Sequence, residues 1–170
     1  MLASPYKQEI SITLTAPGFK NQFSAITVIS EIGTNMEAFP SAKHLCLWAG
    51  LTPTNNESAG KKKSVRISKA GCYIKPLLVQ CTNAAIKSKQ HQEIRNCYLR
   101  IKKRRDHKKA IIAIARMLLI ALYHMLKNGE NYNSDLYKNS DVLPTTREIT
   151  VEQAILMAQF QGYRIKSATE

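Results

Sequence analysis

Glu57-Ser58-Ala59-Gly60 is followed by Lys61, Lys62 and Lys63, then by Arg66 and Lys69. One serine therefore stands beside a run of five cations. A serine hydroxyl is a weak nucleophile until a base, a metal or a strong local field activates it. Cations at this spacing could hold a phosphodiester and offset charge developing on phosphorus, so the chemistry open to Ser58 is attack on a phosphate. No histidine lies nearby in sequence to act as its base. The alternative reading is a turn serine that bonds its own backbone. A second group, Arg95, Arg100, Lys102, Lys103, Arg104, Arg105, Lys108 and Lys109, is suited to sequence-independent phosphate contact, since no base-reading motif accompanies it. A solvated charged face is the alternative there.

The two groups belong to one block. Of 25 Lys/Arg and 12 Asp/Glu in 170 residues, Glu57 to Lys109 holds 16 and 3, a net +13, and the remainder holds nine of each sign. The whole excess charge thus lies in 53 central residues. Such a block favours a polyanion, with nucleic acid the usual one. Chemistry based on paired metals needs several carboxylates converging on ions roughly 3.5–4 Å apart. The acids here are scattered, and the four cysteines (Cys46, Cys72, Cys81, Cys97) form no CxxC. No metal site and no cofactor is expected within the chain. Cys81 lies in an apolar helical stretch and reads as a small buried hydrophobe.

These residues need elements to position them, and the pattern is mostly α. Asn21 can cap a helix over Gln22–Ile32 that Gly33 stops, and Ser41 can cap Ala42–Ala49, which Gly50 and Pro53 end. From Thr52 to Ser68 the composition turns to Pro, Thr, Asn, Ser, Gly and Lys, a long basic loop of the size that is usually functional. Helices follow over residues 71–88, 91–105 and 108–127. The last is apolar nearly all round and is expected to be the central buried helix. Its 17-residue apolar run, Ala110–Leu126, contains Arg116 and His124 and is short and polar for a membrane span. Strand signal is confined to residues 10–14 and 163–166. A polar stretch from Glu130 precedes a further helix over Val151–Gln161. The division expected is a helical domain over 1–132 and a linker with a C-terminal helix over 133–170. The N-terminus lacks a secretory apolar region, so a cytoplasmic protein with free thiols is expected. "PGFKNQFSA" is similar to the hairpin of helix-hairpin-helix modules, with Lys20 where the second glycine stands, and a plain interhelical turn is the alternative.

The order of pieces carries more than any single motif. "APGFKNQFSAITVISEIG", then Trp48-Ala49-Gly50-Leu51-Thr52-Pro53, Glu57-Ser58, Ser68-Lys69-Ala70-Gly71 and Ala110 to Leu119 follow one another as in a known family. Over roughly residues 10–132 the chain resembles the C-terminal half of insertion-sequence transposases related to the Piv DNA invertases, family one-ten in insertion-sequence nomenclature. The resemblance implies a mainly helical half that supplies a nucleophilic serine, here Ser58, with Lys61 to Lys69 as its DNA-facing loop. It implies an N-terminal RuvC-like nuclease half whose acids bind a divalent metal (Mg), a composite site shared between subunits of a homo-oligomer, and a guide RNA from the element itself. The chain begins at Met1 where that second half begins. The expectation is thus DNA strand cleavage and exchange in transposition, inactive until a RuvC-like half is supplied. The alternative is a non-catalytic nucleic-acid-binding remnant or regulator of a full-length transposase, and a third is a basic helical protein partner.

Overall fold

A computed structural model of the chain describes residues 5–53, 56–58, 61–64 and 67–135, with 56–58 and 61–64 described as backbone. The elements run α1 (Lys7–Leu14), α2 (Gln22–Ile32), a 3-10 turn (Met36–Ala38), α3 (Ala42–Trp48), β1 (Asn56–Ser58), β2 (Lys61–Ser64), α4 (Ile74–Lys87), α5 (Gln92–Arg104) and α6 (His107–Asn128). The fold is mostly helical, as the periodicity implies. All these elements belong to one compact unit, Met1–Ser134. The helix expected over Val151–Gln161 and the strand over 163–166 lie outside the described residues.

α6 is the axis of the fold, and α1, α3, α4 and α5 all pack on it. One side, through Ile111, Ile114 and Leu118, meets Ala85 of α4 and Ile94 and Tyr98 of α5. The other, through Ala115, Leu119, Leu122 and Met125, meets a larger cluster that includes Ile12, Phe19, Val28, Leu45, Leu78 and Cys81. The helix is long and apolar enough to cross a membrane by composition, yet this two-sided packing accounts for its apolar residues. Ile10, Ala25 and Ile29 form a smaller cluster between α1 and α2.

Local chemistry explains most boundaries. Asn21 caps α2 through a bond from the Ser24 amide to its side-chain oxygen at 2.8 Å, and Gly33 ends it. Pro76 is the third residue of α4, inside the first turn, where no intrahelical donor is required. Three expectations need correction. Residues 10–14 are helical, not extended: burial of Ile10, Ile12 and Thr13 outweighs the β-branched run, and the Thr13 hydroxyl is satisfied by the Glu9 carbonyl at 2.8 Å. Ser41 occupies the N-cap position of α3 without a capping bond, because its hydroxyl meets His44 Nδ1 at 2.9 Å instead. The stretch read as a loop over 52–68 contains an antiparallel hairpin, β1–β2.

Candidate nucleic-acid interface

Ser58 is the last residue of β1, and the hairpin register pairs it with Lys61; Glu57 pairs with Lys62 and Asn56 with Ser64, so Lys63 is an extra residue on β2. The backbone thus sets the candidate nucleophile opposite the first of the five cations. The side chains of Ser58, Lys61, Lys62, Lys63 and Arg66 lie outside the described residues. Lys69 is exposed.

The base of the hairpin is built from the two motifs on either side. α3 ends in a Schellman motif: the Gly50 amide donates to Leu47 and the Leu51 amide to Cys46, each at 3.0 Å. Gly50 and Gly71 both have positive φ, 66° and 68°. A Cβ on Gly50 would fall on the Ala70 carbonyl, and one on Gly71 would fall on the Ala49 carbonyl. Ala49-Gly50 and Ala70-Gly71 therefore press backbone against backbone, as only paired glycines allow. Above this contact, Pro53 and Ile67 form an antiparallel bridge. Lys75 Nζ donates to the Ser68 carbonyl at 2.7 Å, and the Ala70 amide donates to Ser68 Oγ at 3.0 Å. Thr52 Oγ1 is buried at this base with no hydrogen-bond partner among the described residues. Lys75 and the glycine pair hold the base of the hairpin together, an arrangement that the sequence reading missed. Gly50 was legible as a helix stop and Gly71 as the end of a motif, but the contact between their segments joins residues 21 apart and left no local signal.

The second group of cations forms a corner. α5 buries Ile94 and Tyr98 and turns Arg95, Arg100, Lys102 and Lys103 outward; Arg104, Arg105, Lys108 and Lys109 follow, all eight exposed. Among the described residues the ion pair found is His91–Glu93, and none of these eight cations has a carboxylate within bridging distance. Lys102 Nζ lies 5.8 Å from the centroid of the Tyr98 ring, and the Tyr98 hydroxyl meets His107 Nδ1 at 2.8 Å, tying α5 to the start of α6. Lys102, Lys103 and Arg104 occupy the last turn of α5, where cations suit the helix dipole. Lys108 and Lys109 stand in the first turn of α6, where the dipole disfavours them, and Asp106 at the N-cap makes no capping bond. Helix stability alone explains the first set and not the second. A depression of about 330 Å³ beside this corner is lined by Ile86, Lys87, Arg95, Tyr98 and Leu99.

The turn between α1 and α2 is committed to packing. A Cβ on Gly18 would fall on the Cys81 carbonyl of α4, and the Phe19 amide already donates to the Ala16 carbonyl at 3.2 Å. Burial pushes the Cys81 thiol up to about 11. It also raises that of Cys46, against the opposing charge of Arg116. Among the described residues no three His, Cys, Asp or Glu side chains come together, so the divalent ion that the resemblance implies has no ligand set there.

Fold and charge together define a small helical domain with an inserted hairpin and a basic face that has no acidic partner among the described residues. The chain belongs to the IS116/IS110/IS902 transposase family, whose model matches residues 11–99. That span runs from α1 through the hairpin to the middle of α5 and leaves α6 beyond it. No curated protein and no solved structure matches the chain. Membership implies interaction with DNA.

Proposed function

We propose that the chain is the DNA-binding, serine-bearing part of a transposase strand-exchange site. The single observation that carries this is the corner of eight exposed cations without acidic partners among the described residues, two of them set against the dipole of α6. Cations held at a local cost to helix stability are explained by a polyanion that neutralises them. The corner grips phosphates without reading bases, and the hairpin carries Ser58 toward the strand. In the reaction the serine oxygen bonds to phosphorus as the bond from phosphorus to a sugar oxygen breaks. The hydroxyl proton must pass to a base, and the departing sugar oxygen must gain one. The divalent ion, held by acids of a RuvC-like half in the same or a partner chain, would supply charge neutralisation at that phosphate. A structured RNA from the element and a second copy of the chain complete the assembly in this reading.

Binding is tested with two unrelated duplexes at several salt concentrations. Affinities for the two should be similar, and the logarithm of affinity should fall by roughly 0.9 per phosphate contacted for each tenfold rise in salt. Affinity that stays flat as salt rises refutes the phosphate reading. The serine role is tested by mixing the chain with an acidic nuclease half, a divalent metal and the element's RNA, and trapping protein–DNA adducts on denaturing gels. Ser58→Ala should remove the adduct while leaving DNA binding nearly intact, and an adduct that survives it removes Ser58 from the mechanism.

A further inference from the structure

Trp48, the chain's one tryptophan, ends α3 and is 43% exposed; Tyr73, just before α4, is 71% exposed. Large rings normally supply core area; of the four exposed among the described residues (Tyr6, Phe23, Trp48 and Tyr73), these two flank the base of the hairpin. The glycine contact at the hairpin base brings them into one neighbourhood. Trp48 immediately precedes Ala49, whose carbonyl Gly71 abuts, and Tyr73 follows Gly71 by two residues. Trp48 is also supported from behind. Phe39 packs on its ring at 5.8 Å between centroids with a 59° tilt, and the Phe39 carbonyl in turn accepts the Tyr123 hydroxyl at 3.2 Å. The charged residues of α3 and of segment 67–75 are Lys43 and Lys69, both exposed, and Lys75, whose ammonium is tied to the Ser68 carbonyl; no carboxylate is among them.

Exposed aromatics rooted among cations are the physical signature of a surface for unpaired nucleotides. Every base has a π face, so stacking is tolerant of sequence, and the neighbouring cations track the phosphates. Bases inside a closed duplex are stacked on both sides and offer no free face. We propose that Trp48 and Tyr73 form a stacking platform for unpaired nucleobases at the base of the hairpin. The domain then holds opened or single-stranded nucleic acid at the base of the hairpin whose turn end carries Ser58. This rests on the phosphate-binding reading above and adds to it the state of the strand. Strand exchange requires bases to leave their partners, and a platform at the foot of the same hairpin would receive them.

Because the chain has a single tryptophan, its emission reports on Trp48 without any substitution. The full chain is titrated with an oligothymidylate and, separately, with a mixed-sequence duplex of equal length, following tryptophan emission and the anisotropy of a label on the nucleic acid together. Oligothymidylate should quench the emission as it binds, whereas the duplex should bind with little quenching. Tyr73→Ala should weaken oligothymidylate binding about tenfold, as loss of one stacked base does, and by more than it weakens duplex binding; Tyr73→Phe should restore it. Binding of oligothymidylate without quenching, or an equal loss on both ligands, overturns the platform while leaving the phosphate reading intact. Failure of both ligands to bind overturns both. An emission shift that follows protein concentration without nucleic acid assigns the rings to a protein interface and likewise overturns the proposal.

Discussion

Gly50 and Gly71 lock the two stems of the hairpin together: the Ala70 carbonyl occupies the space a Cβ on Gly50 would need, and the Ala49 carbonyl that of a Cβ on Gly71. Two of the motifs that carry the family resemblance, Trp48 to Pro53 and Ser68 to Gly71, are therefore the two halves of one contact. Substitution at either glycine should be costly. Gly71→Ala adds a left-handed penalty of about 1 kcal/mol or more and drives a methyl into the Ala49 carbonyl. Urea unfolding should show a total loss of about 2 kcal/mol or more, and a loss below 0.5 kcal/mol or so would mean the stems part easily. Gly50→Ala should behave alike, and the double variant should lose less than the sum because both break the same contact.

Leu118 is 1% exposed on the face of α6 that meets α4 and α5. Leu118→Asp should leave no folded domain, since an uncompensated buried charge costs an amount on the order of the total stability. Leu118→Ala should cost about 2–5 kcal/mol. Circular dichroism melts check both, and an unchanged melting temperature for the aspartate variant would place this face in solvent.

Thr82 is fully buried on α4, and its hydroxyl has no hydrogen-bond partner among the described residues. Thr82→Val keeps the shape and removes a polar group that gains nothing from folding. Stability should stay level or rise by about 1 kcal/mol. A clear loss in chemical denaturation would reveal a partner for that hydroxyl.

The thiols should separate by environment. Cys72 is exposed, whereas Cys46 and Cys81 are buried. A thiol reagent at mildly alkaline pH should modify Cys72 first and reach Cys46 and Cys81 only on unfolding. Cys81 also sets a pH dependence. Its thiol ionises near 9 when unfolded and is pushed up to about 11 by burial, so between these values the unfolded chain binds fewer protons than the folded one. The stability from the buried neutral thiol is complete below about 9 and lost as pH rises toward 11. Melting temperature should fall across that window, and Cys81→Ala should flatten the fall.

How far the sequence disclosed this molecule depends on the range of each interaction. α2 with its Asn21 cap, α5 with its apolar stripe and α6 were legible because caps and periodicity are written within a few residues. The hairpin was not. Its strands read Asn-Glu-Ser and Lys-Lys-Lys-Ser, with no alternation of apolar and polar residues, and they are held by backbone pairing and by a glycine contact joining distant segments. α1 misled in the other direction, since its isoleucines and threonine favour a strand until burial against α2 and α6 is counted. Ser58 was singled out by motif order and by its cations; the pairing with Lys61 is new. The aromatics at the hairpin base escaped notice because exposure is a property of the fold, and a Trp or Tyr in sequence reads first as core.

The cations at the start of α6 also bear on how the protein behaves with nothing bound. Lys108 and Lys109 repel the positive end of their own helix, and Lys102 to Arg105 crowd them across a corner pinned by Tyr98 and His107. The unliganded domain is thus electrostatically frustrated, and counterions should relax it. Adding salt should raise its melting temperature over the same range in which it weakens a polyanion's hold. A domain of this kind is sturdiest either in brine or on its partner, and least so alone in dilute buffer.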